Sequence, residues 1–158
     1  LSGMRSSKPF NIKGVVDESG NKTAKKLDLI GVDKFEKFIS MTGTQFKNQA
    51  TRMILKYGYR VTKELANVEG DGVNYLCSAK ENVNLRAIFR IRKWKDAKVS
   101  DVFFREMLQQ MEENGASRGY VIGNYELTEA GRKILSQHET DIELINGDRL
   151  EDLLDKTM

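Results

Sequence analysis

A chain of 158 residues, 39% hydrophobic and 31% charged, lies in the range of one globular domain with a real core, which excludes disordered and fibrous classes. The net charge of +3 is too small to identify a nucleic-acid binder by itself, yet it is unevenly spread: Arg86, Arg90, Arg92, Lys93, Lys95 and Lys98 stand against Asp96 alone, whereas residues 139–155 are acidic. No apolar run approaches the roughly 20 residues of a membrane span, and a lone Cys77 and a lone His138 allow neither an intrachain disulfide nor a Cys/His zinc site. With no apolar secretory core at the N-terminus, an intracellular protein without a membrane partner is expected.

Residues 1–41 read as an N-terminal extension or a short hairpin arm, with "DESGNK" turning between "KGVV" and "TAKKLDLIGV". A single domain is expected over 42–158. It opens on an amphipathic helix, because Phe46, Ala50, Met53, Ile54 and Tyr57 recur at helical spacing and Gly58 follows as a stop. Three strands come next: "YRVTKEL", then "VNYLCSA" after the turn cluster "NVEGDG", then "LRAIFRIRKW".

Ser100 can cap a helix over 101–114 whose stripe is Val102, Phe103, Met107, Leu108 and Met111, ended by Asn114-Gly115. "RGYVIGN" is a short buried strand, Thr128 caps a helix through about His138, "DIELI" is a fifth strand, and Asp148 opens a last helix carrying Leu150, Leu153 and Leu154. Strands alternating with helices in this order predict an α/β fold: a three-layer α/β/α sandwich with a central mixed sheet.

Within "FRIRKW", Phe89 and Ile91 fall on one face of the strand and Arg90 and Arg92 on the other. Two guanidiniums on one face suit phosphate, which they bind in a fork. The plainer reading makes them solvated residues of an edge strand, or partners of Glu64 and Glu69. Trp94 reads first as packing and second as a base-stacking platform. Cys77 reads as a small buried hydrophobe and His138 as a helix-end residue.

The succession of elements resembles the catalytic domain of Mrr-type restriction endonucleases, within the restriction-endonuclease-like superfamily. "TGTQFKNQATRMILKYGYRV" resembles the family's first helix and strand, where a Phe-Glu pair starts the helix and Gly-Tyr closes it. "GDGVNYL" resembles its Asp-Gly-Gly-x-Asp turn and strand, and "FRIRKW" its Gln-x-Lys or Glu-x-Lys strand followed by an aromatic. "GASRGYVIGNYELTEAGRKIL" and "IELINGDRLEDLL" resemble its closing elements.

The resemblance implies metal-assisted phosphodiester hydrolysis, with carboxylates holding Mg²⁺ and a lysine stabilising charge. Every matched position departs from that pattern. Lys47 replaces the helix glutamate, Asn74 the second aspartate, Arg90 the Gln or Glu, and Arg92 the lysine, leaving Asp71 as the only acid of the turn motif. Cationic side chains there would repel a metal, and an arginine cannot act as a base.

The expectation is therefore a catalytically inactive nuclease-fold module, without metal or cofactor, that contacts nucleic-acid phosphates through Lys47, Asn74, Arg90, Arg92, Lys93 and Trp94. DNA is the expected ligand and RNA the alternative. A protein-interaction or dimerisation scaffold is a second reading. A third is a Mg²⁺-dependent nuclease with relocated groups, built on Asp71 and Lys93 with help from Glu64 and Glu69.

Overall fold

A computed structural model describes residues 34–138 and 141–158. The expected hairpin arm around "DESGNK" lies outside the described residues. Helix α1 spans 34–40, and α2 spans Gly43–Lys56. Strands β1 (Tyr59–Leu65), β2 (Gly72–Ala79) and β3 (Asn82–Arg92) follow, then β4 (Ala97–Val99), α3 (Asp101–Glu113), β5 (Arg118–Ile122) and β6 (Tyr125–Leu127). The chain closes with α4 (Glu129–Ser136), β7 (Ile142–Ile145) and α5 (Gly147–Thr157). Among the described residues no helix is long and apolar enough to cross a membrane.

Five strands form one mixed sheet in the order β1-β2-β3-β5-β7. The β1/β2 and β2/β3 pairs are antiparallel, whereas β3/β5 and β5/β7 are parallel, each parallel step needing a helical crossover. On one face, α1, α2 and α5 bury Phe38, Phe46, Met53, Ile54, Leu150 and Leu154 against Tyr75, Phe89, Tyr120 and Ile122. Phe89 and Tyr120 stack there at 4.4 Å between ring centroids. On the other face, α3 and α4 bury Phe104, Met107, Met111, Ile134 and Leu135 against Leu76, Ile88 and Val121. The three-layer α/β/α sandwich with a mixed sheet is thus the observed architecture.

Differences of detail have local causes. Helix α1, inside the segment read as an extension, inserts the fully buried Phe38 into the first core. On α3 the buried stripe is Phe104, Met107 and Met111, while Val102 is 58% exposed; an i, i+3, i+7 set replaced the one read from Val102. Helix α4 ends at Ser136, so His138 lies beyond it and meets Asp141 at 3.6 Å. Strands β4 and β6 pair parallel as a separate two-stranded sheet, too short to carry a periodic signal.

Gly72 starts β2 opposite Arg92, in the turn motif shared with the family resemblance. A Cβ there would lie 1.9 Å from the Ile91 carbonyl oxygen and 3.0 Å from the Arg92 Cα. Backbone cannot yield as a side-chain tip can, so Gly72→Ala should destabilise the fold by about 3 kcal/mol, read as a drop in the urea midpoint. An unchanged midpoint would show that β2 and β3 separate at no cost.

Candidate functional site

Strand β3 is the central strand, paired on both sides and covered on both faces, so the edge-strand reading of Arg90 and Arg92 does not hold. The alternation of "FRIRKW" separates two buried faces rather than a core face from a solvent face. Phe89 and Ile91 point to α2, while Arg90 and Arg92 share the α3 side with Ile88. Four polar or charged side chains are buried among the described residues: Gln49, Asn74, Arg90 and Arg92. Three of the four are motif positions identified from sequence.

Arg92, 2% exposed, is met by acceptors on most of its edge. Its Nη1 donates to the Val73 carbonyl at 3.0 Å and the Ile91 carbonyl at 3.3 Å, and its Nη2 donates to Asn74 Oδ1 at 2.8 Å. Asp71 Oδ1 lies 3.4 Å from Nε. Burial, helped by the neighbouring Arg90 charge and opposed by Asp71, pulls the Arg92 pKa down to about 10, which still leaves a cation at neutral pH.

Arg90, 7% exposed, donates through Nε and Nη2 to Gln110 Oε1 of α3, at 3.2 and 3.1 Å. Its guanidinium carbon lies 4.8 Å from the Phe103 ring centroid, and that of Arg92 lies 5.6 Å from the same ring. Burial lowers the Arg90 pKa, against the fields of Glu106 and Glu69.

Asp71 is more than the turn residue its place before Gly72 suggested. It accepts from Asn67 Nδ2 at 3.0 Å and from Trp94 Nε1 at 2.8 Å. Burial pushes its carboxyl upward, but those hydrogen bonds and the Arg92 charge prevail and hold it below the ordinary value. Trp94 packs edge-on against Phe103 and Tyr125, each at 5.7 Å, so its packing role is the one observed. Asn74 donates to the Ala66 carbonyl at 2.9 Å, which commits both ends of its amide.

Lys47 is not brought to this cluster. Its Nζ pairs with Glu64 Oε1 at 3.0 Å; Glu64 is registered with Tyr75, which faces the α2 core, so the pair lies on the sheet face opposite the arginines. Lys93 likewise turns to the α2 side, donating to the Met41 carbonyl at 2.8 Å and lying 5.0 Å from the Phe46 ring centroid. Its backbone N–H reaches the Asp71 carbonyl at 2.9 Å, yet the two side chains diverge. The relocated catalytic set is therefore not assembled: Glu64 holds Lys47, and Asp71 holds Asn67 and Trp94. Among the described residues no three His, Cys, Asp or Glu side chains group as metal ligands. Cys77 is fully buried, and burial pushes its thiol up to about 12, far from a nucleophile's range.

A model described as restriction endonuclease matches residues 38–154. The chain belongs to the restriction endonuclease family. A search of curated proteins finds no significant match. In this family a divalent ion would have to sit among Asp71, Asn74, Arg90 and Arg92, and the donor set does not suit it: one carboxylate already bonded by two side-chain donors, one committed amide and two cations.

Sequence reasoning did not find Gln110 and Phe103 as the partners of Arg90. A signal existed, since Phe103, Met107 and Gln110 share the i, i+4, i+7 stripe of α3 and a polar residue within it calls for a buried partner.

The fork of Arg92 reaches Val73, Asn74 and Asp71 at once, which a single ammonium cannot do. Arg92→Lys, although it keeps the positive charge, should cost about 2 kcal/mol in urea unfolding. A neutral result would mean that the fork geometry contributes nothing.

Asp71 adds a pH signature. A carboxyl held below its ordinary value stabilises the fold fully above about pH 4, and that share is lost as the pH falls through the lowered value. Asp71→Asn should therefore be less stable at pH 7 and show a flatter fall of the urea midpoint below about pH 4. Parallel curves for the two proteins would contradict this.

Proposed function

We propose that this domain is a catalytically inactive member of the restriction endonuclease family that binds the nucleic-acid backbone, the position of the metal site having become a closed, cation-centred network. The observation that carries the reading is the buried pair Arg90 and Arg92, on the strand that resembles the family's Gln-x-Lys or Glu-x-Lys strand. A divalent ion about 5 Å from one guanidinium is repelled by about 7 kcal/mol at an effective dielectric near 20. Asp71 at a similar distance offsets one arginine and leaves the second with the fields of Glu106 and Glu69 but no ion pair among the described residues. Neither guanidinium can take a proton from water, so the base is lost with the metal.

Burial also assigns the two arginines a part other than direct contact. Arg92 is enclosed, and Arg90 is tied to Gln110, so they contribute positive potential from beneath the surface. Phosphate contact falls to the exposed lysines that follow β3, Lys95 and Lys98, since Lys93 is tied to the Met41 carbonyl. Such contacts give affinity without base specificity, and that affinity weakens as salt rises.

Fluorescence anisotropy with labelled DNA and RNA duplexes and single strands, beside a plasmid-cleavage assay in Mg²⁺ and Mn²⁺, tests both halves. Expected are no cleavage, binding indifferent to EDTA, a log–log salt slope of about −2 to −3, and roughly tenfold weaker binding for Lys95→Glu with Lys98→Glu. Metal-dependent cleavage abolished by Asp71→Asn would overturn the inactive reading. Unchanged affinity in the double variant would overturn the lysine surface.

A further inference from the structure

A groove of about 270 Å³ between α2 and α5 is lined by Lys56, Tyr57, Arg149, Asp152, Leu153 and Lys156. It shares no residue with the arginine network. Its cations converge from two helices: Lys56 from the last turn of α2, Arg149 and Lys156 from the two ends of α5. Around them the charges do not balance. Glu143 is divided between Arg118, at 3.4 Å, and Arg149, which it meets closely, and Asp152 holds Lys156 at 2.9 Å. Lys56 makes no ion pair or side-chain hydrogen bond among the described residues. Three cations of the groove, Lys56, Arg149 and Lys156, thus face one lining carboxylate, Asp152, and only a share of Glu143, which leaves the groove net positive.

We propose that this groove is a binding site for a phosphate monoester, a phosphate group carrying a small organic substituent. The group carries about −1.5 to −2 at neutral pH, which suits a net-positive groove. Arg149, whose Nη1 donates to the Leu144 carbonyl and Nη2 to Glu143, contributes its charge and its remaining N–H groups, Lys56 and Lys156 offer ammonium donors from either side, and the Tyr57 hydroxyl, already under the influence of Arg149, is a further hydrogen-bonding group. A bare tetrahedral anion fills about the space of two or three waters, roughly 60–90 Å³, so the groove has room for more. Buried Leu153 and the half-buried Tyr57 ring supply an apolar floor for that remainder.

Two factors keep the affinity modest. Lys56 and Lys156 sit at helix C-termini, whose carbonyls draw in part of their field, and Arg149 and Lys156 are about half exposed. A Kd of about 1 mM is expected, and it should weaken with salt. The same group could come from a free small phosphoester or from the 5′ end of a nucleic-acid strand.

The test is titration of the full chain with inorganic phosphate, phenyl phosphate, and one oligonucleotide with and without a 5′ phosphate, followed by amide chemical shifts against chloride at equal ionic strength. Saturable shifts at Tyr57, Leu153 and Lys156 with the phosphates and not with chloride are expected. Phenyl phosphate binding tighter than inorganic phosphate assigns a small phosphoester, and dependence of oligonucleotide shifts on the 5′ phosphate assigns a strand end.

Lys56→Gln removes no native contact and should weaken phenyl phosphate binding about five- to tenfold with the urea midpoint unchanged. Arg149→Lys, which keeps the charge and loses the fork, should weaken it less. No saturable shift up to about 20 mM phosphate, or equal affinity in Lys56→Gln, overturns the proposal.

Discussion

A guanidinium withdrawn from water must find acceptors for its N–H groups, and Arg92 finds them on four residues, three at the start of β2 and in the loop before it and one on its own strand. The cost of removing one ion from water is several kcal/mol, and only good geometry on several edges offsets it. Val73 and Ile91 contribute carbonyls from the β2–β3 ladder, Asn74 an amide oxygen, and Asp71 a carboxylate from the preceding loop. Asp71 in turn holds Trp94 and Asn67, and Trp94 and Phe103 connect the loop to α3. The loop, the hairpin and the overlying helix are thus fixed by one side chain. Packing alone would hold the helices on the sheet, but it would not fix the loop.

Strand β3 is also where sequence pattern and structure part. Helices α2, α3 and α5 and the succession along the chain of the five strands that form the sheet were legible because each has a period, a cap or a turn cluster: Phe46 to Tyr57 before Gly58, Ser100 accepting from Val102, Leu150 to Leu154. The family was legible from the order of motifs rather than from any one of them. What misled was the ordinary inference that alternating apolar and charged residues mean a core face and a wet face. On a central strand covered on both sides, alternation means only two different interiors. Ile88, in phase with Arg90 and fully buried, was the available hint.

Other parts were not legible for physical reasons. The position of Lys47 depends on how α2 sits on the sheet, which periodicity within α2 does not encode. The three-residue strands β4 and β6 are defined by each other and have no pattern of their own. Helix α1 did carry a pattern, Phe35, Phe38 and Ile39, but it follows a long mixed stretch and was absorbed into it.

The amide of Asn74 has a consequence for how such a site can change over time. Its Oδ1 serves Arg92 and its Nδ2 serves the Ala66 carbonyl. An aspartate at 74 would strengthen the first contact but set a carboxylate oxygen against a carbonyl in the second. Removing Arg92 would strand both Asn74 and Asp71. These positions are coupled closely enough that their substitution effects will not add, and the intermediates between this arrangement and a carboxylate cluster each carry a buried group without its partner. Any one of these side chains exchanged alone therefore costs more than its own contacts.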